Sequence, residues 1–187
     1  MKSVEIVGFK RANLGKTASK ELREKAEVPC VLYGGKEQVH FAVPMYLFRG
    51  LVYTPDAHIV DLNVEGKLFK AVLQDVQFHP VNDIILHADF LELDEKKEVK
   101  IDVPVKVTGN SIGVAKGGKL VQKLRKVKVS ALPANLPDYV TIDVSDLDLG
   151  KTIKVSSIAT AKYRILNPPV VPVVTIEIPR ALKGQKD

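Results

Sequence analysis

Cysteine is nearly absent from this chain of 187 residues: Cys30 is the only one. A single thiol excludes an intrachain disulfide and any cysteine cage around a metal. It sits between Pro29 and Val31 in an apolar run, where a small core residue is expected rather than a reactive thiol. Long apolar runs are missing as well. No stretch approaches the ~18–20 apolar residues that a membrane-spanning helix needs. The N-terminal MKSVEIVGFKR alternates apolar and polar residues in place of the continuous block of a signal peptide. A cytoplasmic address without membrane association is expected. Catalytic signatures are missing too. GGKEQ (34–38) lacks the spacing and the Lys-Ser/Thr ending of a phosphate-binding loop, and no Gly-x-Ser-x-Gly elbow occurs. The chain is not expected to be an enzyme, nor to carry a catalytic residue, metal site, cofactor or small-molecule substrate.

What is present has the balance of a globular protein: 45% hydrophobic and 27% charged residues. The net charge of +6 and a pI near 9.3 favour a polyanionic partner such as nucleic acid. That charge is unevenly spread. Residues 1–95 carry 8 Lys and 3 Arg against 14 acids, a net of −3, whereas residues 96–187 carry a net of +9. The first half is itself polarised, with a net of +4 in residues 1–36.

The pattern is mostly β. Val4, Ile6 and Phe9 alternate with Ser3, Glu5 and Lys10, as a strand requires. TASKELREKA (17–26) predicts a short helix with Thr17 as its cap and Leu22 and Ala26 on its inner face. Strands are expected over 28–33, 39–43, 59–64, 68–77 and 85–93, with turns at Gly34-Gly35 and Glu65-Gly66 and a second short helix opened by Pro44. These predict an antiparallel β-barrel with short helices, residues 1–95. The charged run Asp94-Glu95-Lys96-Lys97-Glu98 marks the boundary. Beyond it, valine-rich strands over 101–107, 120–130, 140–144, 152–155 and 170–178 predict a second all-β domain, residues 96–187. The terminal KGQKD reads as a frayed tail.

Two basic stretches stand out. In KRANLGKTASKELREK (10–25), helical spacing places Lys16, Lys20 and Arg23 on one face, and Gly15 frees the preceding loop for close approach to a phosphate. The plain alternative is a solvated helix surface balanced by Glu21, Glu24 and Glu27. In KGGKLVQKLRKVK, six cations (Lys116, Lys119, Lys123, Arg125, Lys126 and Lys128) fall within 13 residues. As a strand they would form a second RNA contact along a phosphate backbone, or else protect a sheet edge. Two further segments carry recognition chemistry. PCVLYGG (29–35) delivers Tyr33 at a strand end, where it can stack on a base. In LQDVQFHPVNDIILHADFLEL (73–93), His87 and Asp89 lie two apart and project from one face of a strand, a histidine braced by a carboxylate.

In order, R-x3-G-K-x2-S-K-x-L-R, P-x-V-L-Y-G-G and Q-D-V-Q-x-H-P-x6-H-x-D-F resemble the bacterial large-subunit ribosomal protein family that binds 5S rRNA. Downstream, GVAKGGKL and LPANLPDYVTIDVSDLDLG resemble the second domain of its long, two-domain form, known as Ctc. The resemblance implies a six- or seven-stranded barrel docked on the loop E region of 5S rRNA in the central protuberance. Neighbouring ribosomal proteins and 23S rRNA are further implied partners. It also implies that Arg11, Lys16, Ser19, Lys20, Arg23, Tyr33, His87 and Asp89 contact the RNA. Lys20 stands where arginine is common in the family, and lysine offers a point charge in place of a bidentate fork.

Two rivals belong to other classes. A metal-dependent hydrolase would use His79, His87 and Asp89, but His79 precedes a proline and no third strong ligand or general base accompanies the pair. A protein-interaction module without direct RNA contact would show little salt dependence, whereas several phosphate contacts make affinity fall steeply with salt.

Overall fold

A computed structural model describes residues 2–35, 37–160 and 162–179; the KGQKD end lies outside them. The chain forms two compact units, residues 1–101 and 102–187.

The first unit is built on six strands: β1 (Lys2–Lys10), β2 (Glu27–Tyr33), β3 (Val39–Pro44), β4 (His58–Val64), β5 (Lys67–Phe78) and β6 (Ile85–Glu92). They close into a barrel in the order β1-β3-β2-β6-β5-β4. Alternation along each strand turns Ile6, Cys30, Leu32, Phe41, Leu62 and Phe90 inward, all fully buried. Phe90 anchors this core, its ring 5.7 Å from that of Phe41 and 6.3 Å from that of Phe48. Phe48 comes from a short 3-10 turn, Met45–Phe48, that runs into α2 (Arg49–Val52). The β4–β5 hairpin turns on Glu65 and Gly66, both at positive φ (49° and 88°), and the Gly66 amide donates to Asn63 Oδ1 at 2.9 Å. A left-handed pair is what a two-residue hairpin demands.

The architecture is the β-barrel with short helices that the sequence implies, with six strands. Its pairing is mixed: β1 runs parallel to β4, and β2 parallel to β6, while the other four seams are antiparallel. Parallel partners are remote in sequence, so no hairpin turn announces them. The first helix, α1 (Lys16–Glu24), also differs from expectation. Thr17 is not its cap. The helix starts from Gly15, whose carbonyl accepts both the Ser19 amide (3.1 Å) and the Ser19 hydroxyl (2.8 Å). Gly15 sits at φ 120°, ψ −179°, a backbone region essentially reserved for glycine. Ala26 lies beyond the helix at φ 59° and is exposed, so Leu22 alone of the expected inner pair faces the barrel.

The second unit has two sheets. One has the order β10-β7-β9-β12, from β7 (Val99–Thr108), β9 (Lys126–Ala131), β10 (Val140–Asp143) and β12 (Arg164–Ile165). The other has the order β11-β13-β8, from β8 (Lys119–Gln122), β11 (Thr152–Lys154) and β13 (Pro172–Glu177). A short helix, α3 (Ile112–Ala115), is capped by Ser111, whose hydroxyl accepts from the amides of Gly113 and Val114. The strand expected over 120–130 is two strands in different sheets. The amides of Lys123 and Leu124 both donate to Val173 O (2.9 and 3.2 Å), and the Gln122 side chain bridges Val105 O and Leu124 O (3.1 and 3.3 Å). These bonds hold the crossing between the sheets. β12 carries no sequence signal; two residues are too few for a periodicity.

Phe90 has ring partners on two sides, so its truncation leaves a cavity the barrel cannot close. Phe90→Ala should cost about 3–5 kcal/mol in urea unfolding of the full chain. A loss below about 1 kcal/mol would show that Phe90 does not anchor the barrel.

Candidate nucleic-acid interface

The outer wall of β2 and β6 carries the candidate site. Register makes it: Val31 pairs with both His40 and Asp89, and Asp89 pairs with Asp75. His40, Val31, Asp89 and Asp75 therefore form one outward row across β3, β2, β6 and β5. In the neighbouring row His87 pairs with Gln77. Helix α1 packs over β2, which buries Val31 and Ala42 although they point outward.

Two arginines fasten that helix. Arg11, just past β1, donates from its amide to His40 O (3.0 Å) and from Nη2 to Ser19 Oγ (3.0 Å). Ser19 thus serves both the helix start and the Arg11 guanidinium. Arg11 Nε is sealed from solvent without a partner among the described residues. Arg23, in the last turn of α1, donates from Nε to Leu86 O at 3.0 Å, and its position suits the negative end of the helix dipole. The expected single cationic face of Lys16, Lys20 and Arg23 is therefore split. Arg23 turns in to the barrel with Ser19, while Lys16 and Lys20 are exposed, Lys20 Nζ lying 3.9 Å from Glu24 Oε1. A hydrogen bond to a buried-side carbonyl is worth more than a solvated lysine contact.

Beside Leu86, His87 Nδ1 lies 2.8 Å from Asp89 Oδ1, both side chains about 30% exposed (30% and 31%). That carboxylate oxygen is otherwise closed off, with no further partner among the described residues. With Nδ1 engaged, His87 Nε2 is the ring edge left for a ligand. Tyr33 stands at the end of β2. Its hydroxyl titrates above the ordinary tyrosine range because burial disfavours the phenolate, and Asp89 and Asp75 repel it further. Tyr33 consequently stays a neutral donor near pH 7. After it, Gly34 takes φ 96°, and a Cβ there would meet Leu91 Cδ1 at 2.6 Å, so only glycine lets the chain turn away from Tyr33. Cys30 is fully buried; burial pushes its thiol up, against the pull of nearby Arg11. It is a core residue.

The barrel wall thus gathers Arg11, Ser19, Arg23, Tyr33, His87 and Asp89, and leaves Lys16 and Lys20 on the outer side of α1. Asp75 and Gln77, outward and exposed on β5, join them unanticipated. Their spacing of two in QDVQ was the available signal. The six cations of the second unit separate as well. Lys116 binds both oxygens of Asp148 (2.9 Å each), Lys123 meets Glu177 (2.6 Å), and Lys119 faces Glu177 across the strands. Arg125, Lys126 and Lys128 are exposed.

A cavity of about 860 Å³ opens at one end of the barrel, among Lys10, Gly34, Val39, Val64, Phe69 and Glu92. None of the candidate residues lines it. Among the described residues no three His, Cys, Asp or Glu side chains are placed to hold a metal, so the trio that the hydrolase alternative needs does not converge. No helix among the described residues is long and apolar enough to cross a membrane.

Two family models match the chain. The ribosomal L25p family matches residues 6–90, and the C-terminal domain of ribosomal protein TL5 matches residues 98–180. The large ribosomal subunit protein bL25 of Cytophaga hutchinsonii is 56% identical over 186 residues, covering 100% of this chain and 97% of that protein. The bL25 of Amoebophilus asiaticus is 52% identical over 184 residues, covering 98% and 94%. That of Bacteroides fragilis is 44% identical over 189 residues, covering 98% and 96%.

The proximity of Tyr33 to Asp89 has a measurable consequence. Asp89→Asn should move the Tyr33 titration to lower pH, since one of the charges opposing the phenolate is gone. Ultraviolet titration, each protein read against its Tyr33→Phe counterpart, isolates this tyrosine. An unmoved curve would place Asp89 too far away to act.

Proposed function

The chain belongs to the bL25 family of large ribosomal subunit proteins, and from that premise we propose that it binds 5S rRNA, at the loop E region in the central protuberance, through the outer wall of β2 and β6. As a member it is a structural constituent of the cytoplasmic ribosome with ribosomal RNA and protein partners, not an enzyme. The observation that carries the finer reading is the convergence of Arg11, Arg23, Tyr33, His87 and Asp89 from four separate segments onto one surface under α1. Arg11 and Arg23 also fasten α1, but Tyr33, His87 and Asp89 stand on the side of the sheet away from the core.

The roles follow from chemistry. Arg11 and Arg23 keep part of each guanidinium fork for phosphate while the remainder is held by the protein, so little freedom is lost on binding. Lys16 and Lys20, exposed on α1, add point charges at the rim. Tyr33 offers a ring edge and a neutral hydroxyl to a base or ribose, and His87 Nε2 and the Asp89 carboxylate can read base edges or a 2′-hydroxyl. Residues 1–95 hold the whole set, despite their net negative charge. Neighbouring large-subunit proteins and 23S rRNA are the further partners of this reading.

With about four phosphates contacted, the logarithm of 5S rRNA affinity should fall with log salt at a slope near −3. Arg23→Ala should weaken binding and flatten that slope by about one, and Tyr33→Ala should weaken it by about 1–3 kcal/mol without changing the slope. Filter binding with a loop E fragment, alongside circular dichroism to verify folding, measures both. A flat salt response would favour a protein-interaction module, and two variants that bind normally would remove this surface from the account.

A further inference from the structure

We propose that the outer face of the four-stranded sheet in the 102–187 unit is a second docking surface, which holds the phosphate backbone of ribosomal RNA outside 5S rRNA through Lys126, Lys128 and Arg164, with Tyr139 as a stacking platform. It rests on the ribosomal reading and deepens it, giving the 23S rRNA partner a surface of its own on residues other than those assigned to 5S rRNA.

Alternation decides which side chains share the face. On β9, Val127 and Val129 are fully buried, which turns Lys126 and Lys128 to solvent. On β7, Val103 and Val105 face the core and Lys106 faces out. β12 pairs with β9 so that Arg164 stands opposite Ser130, two residues along the strand from Lys128 and on its side of the sheet. Across the sheet, Lys106 pairs with Thr141 on β10, and Lys106 Nζ lies 5.0 Å from the centre of the Tyr139 ring. Tyr139 is 49% exposed. A cation beside a half-open aromatic is the arrangement that accepts a stacked base next to its own phosphate.

The distribution of acids sharpens the case. Lys116 and Lys123 are neutralised inside the unit by Asp148 and Glu177. Lys126, Lys128 and Arg164 have no acid within ion-pair distance among the described residues. Of the acids on the strands of this face, Asp102 lies on β7 and Asp143 on β10, and Asp143 is occupied by the Ser145 amide and hydroxyl (2.9 and 2.6 Å). Among the described residues, charge is thus left unpaired along β9 and β12. Phosphates, each carrying a negative charge, complement such a row.

The test uses the full chain and deproteinised 23S rRNA in filter binding over a salt series. The triple variant Lys126→Ala, Lys128→Ala, Arg164→Ala should bind at least about tenfold more weakly, with the log–log slope flattened by about two to three. Tyr139→Ala should weaken binding about fivefold or more with the slope unchanged. Lys116→Ala with Lys123→Ala, which removes cations already paired, should leave affinity near wild type. Should the triple variant melt early, Lys126→Glu alone reads the same loss at an exposed position. Wild-type affinity and slope in the triple variant would overturn the proposal, as would an equal loss in the paired-cation control. Parallel binding to 5S rRNA separates the two readings. Failure of wild type to bind 5S rRNA sinks the first alone, and an unaltered 23S response in the triple variant sinks the second alone.

Discussion

The parallel register between β2 and β6 is the constraint on which the rest of the first unit depends. It sets Val31 against Asp89 and Tyr33 against Leu91, and so brings PCVLYGG beside HADF. A slip of one residue would send Asp89 into the barrel and Phe90 into solvent. Phe90, packed between Phe41 and Phe48, makes that slip expensive. The core therefore enforces the geometry of the surface: apolar burial on one side of β6 specifies where His87 and Asp89 stand on the other.

A second layer builds on this wall. α1 has no fully buried residue, so its place rests on a few polar anchors as much as on apolar contact. Gly15, Ser19 and Arg11 tie its start, and Arg23 ties its end to Leu86 O. The same groups that orient the helix are those that the proposed reading offers to RNA. Preorganisation follows, since side chains already held lose less entropy on binding than free lysines do. The net charge of residues 1–95 is a poor guide to this, because the two arginines act locally while the acids are spread around the barrel.

Much of this was legible in the sequence. Alternation, one buried apolar run and a hairpin signature located the strands of the barrel, and Gly34-Gly35 and Glu65-Gly66 two of its turns. Of the eight residues carried over from the family's motifs, six stand together on the barrel wall. The exceptions have physical causes. The helix start was misplaced because Thr17 looks like a cap, whereas Gly15 gains its role from a backbone conformation that composition does not display. Arg23 was set with Lys16 and Lys20 because helical spacing ignores the carbonyl of Leu86, supplied by a strand far along the chain. Asp75 and Gln77 join the wall only through strand pairing with Asp89 and His87, which spacing along the chain does not display. In the second unit, the cations of 116–128 looked like one strand, and only the Val173 carbonyl explains why the chain changes sheet there.

The central claim is that one surface, assembled from distant segments, receives the RNA. Nuclear magnetic resonance of the isotope-labelled full chain, titrated with a loop E fragment of 5S rRNA, tests it most directly. The account predicts that signals of Arg11, Ser19, Arg23, Tyr33, His87 and Asp89 move together and saturate at one equivalent. Shifts confined to the barrel-end cavity or to residues 102–187, with these six unmoved, would contradict it.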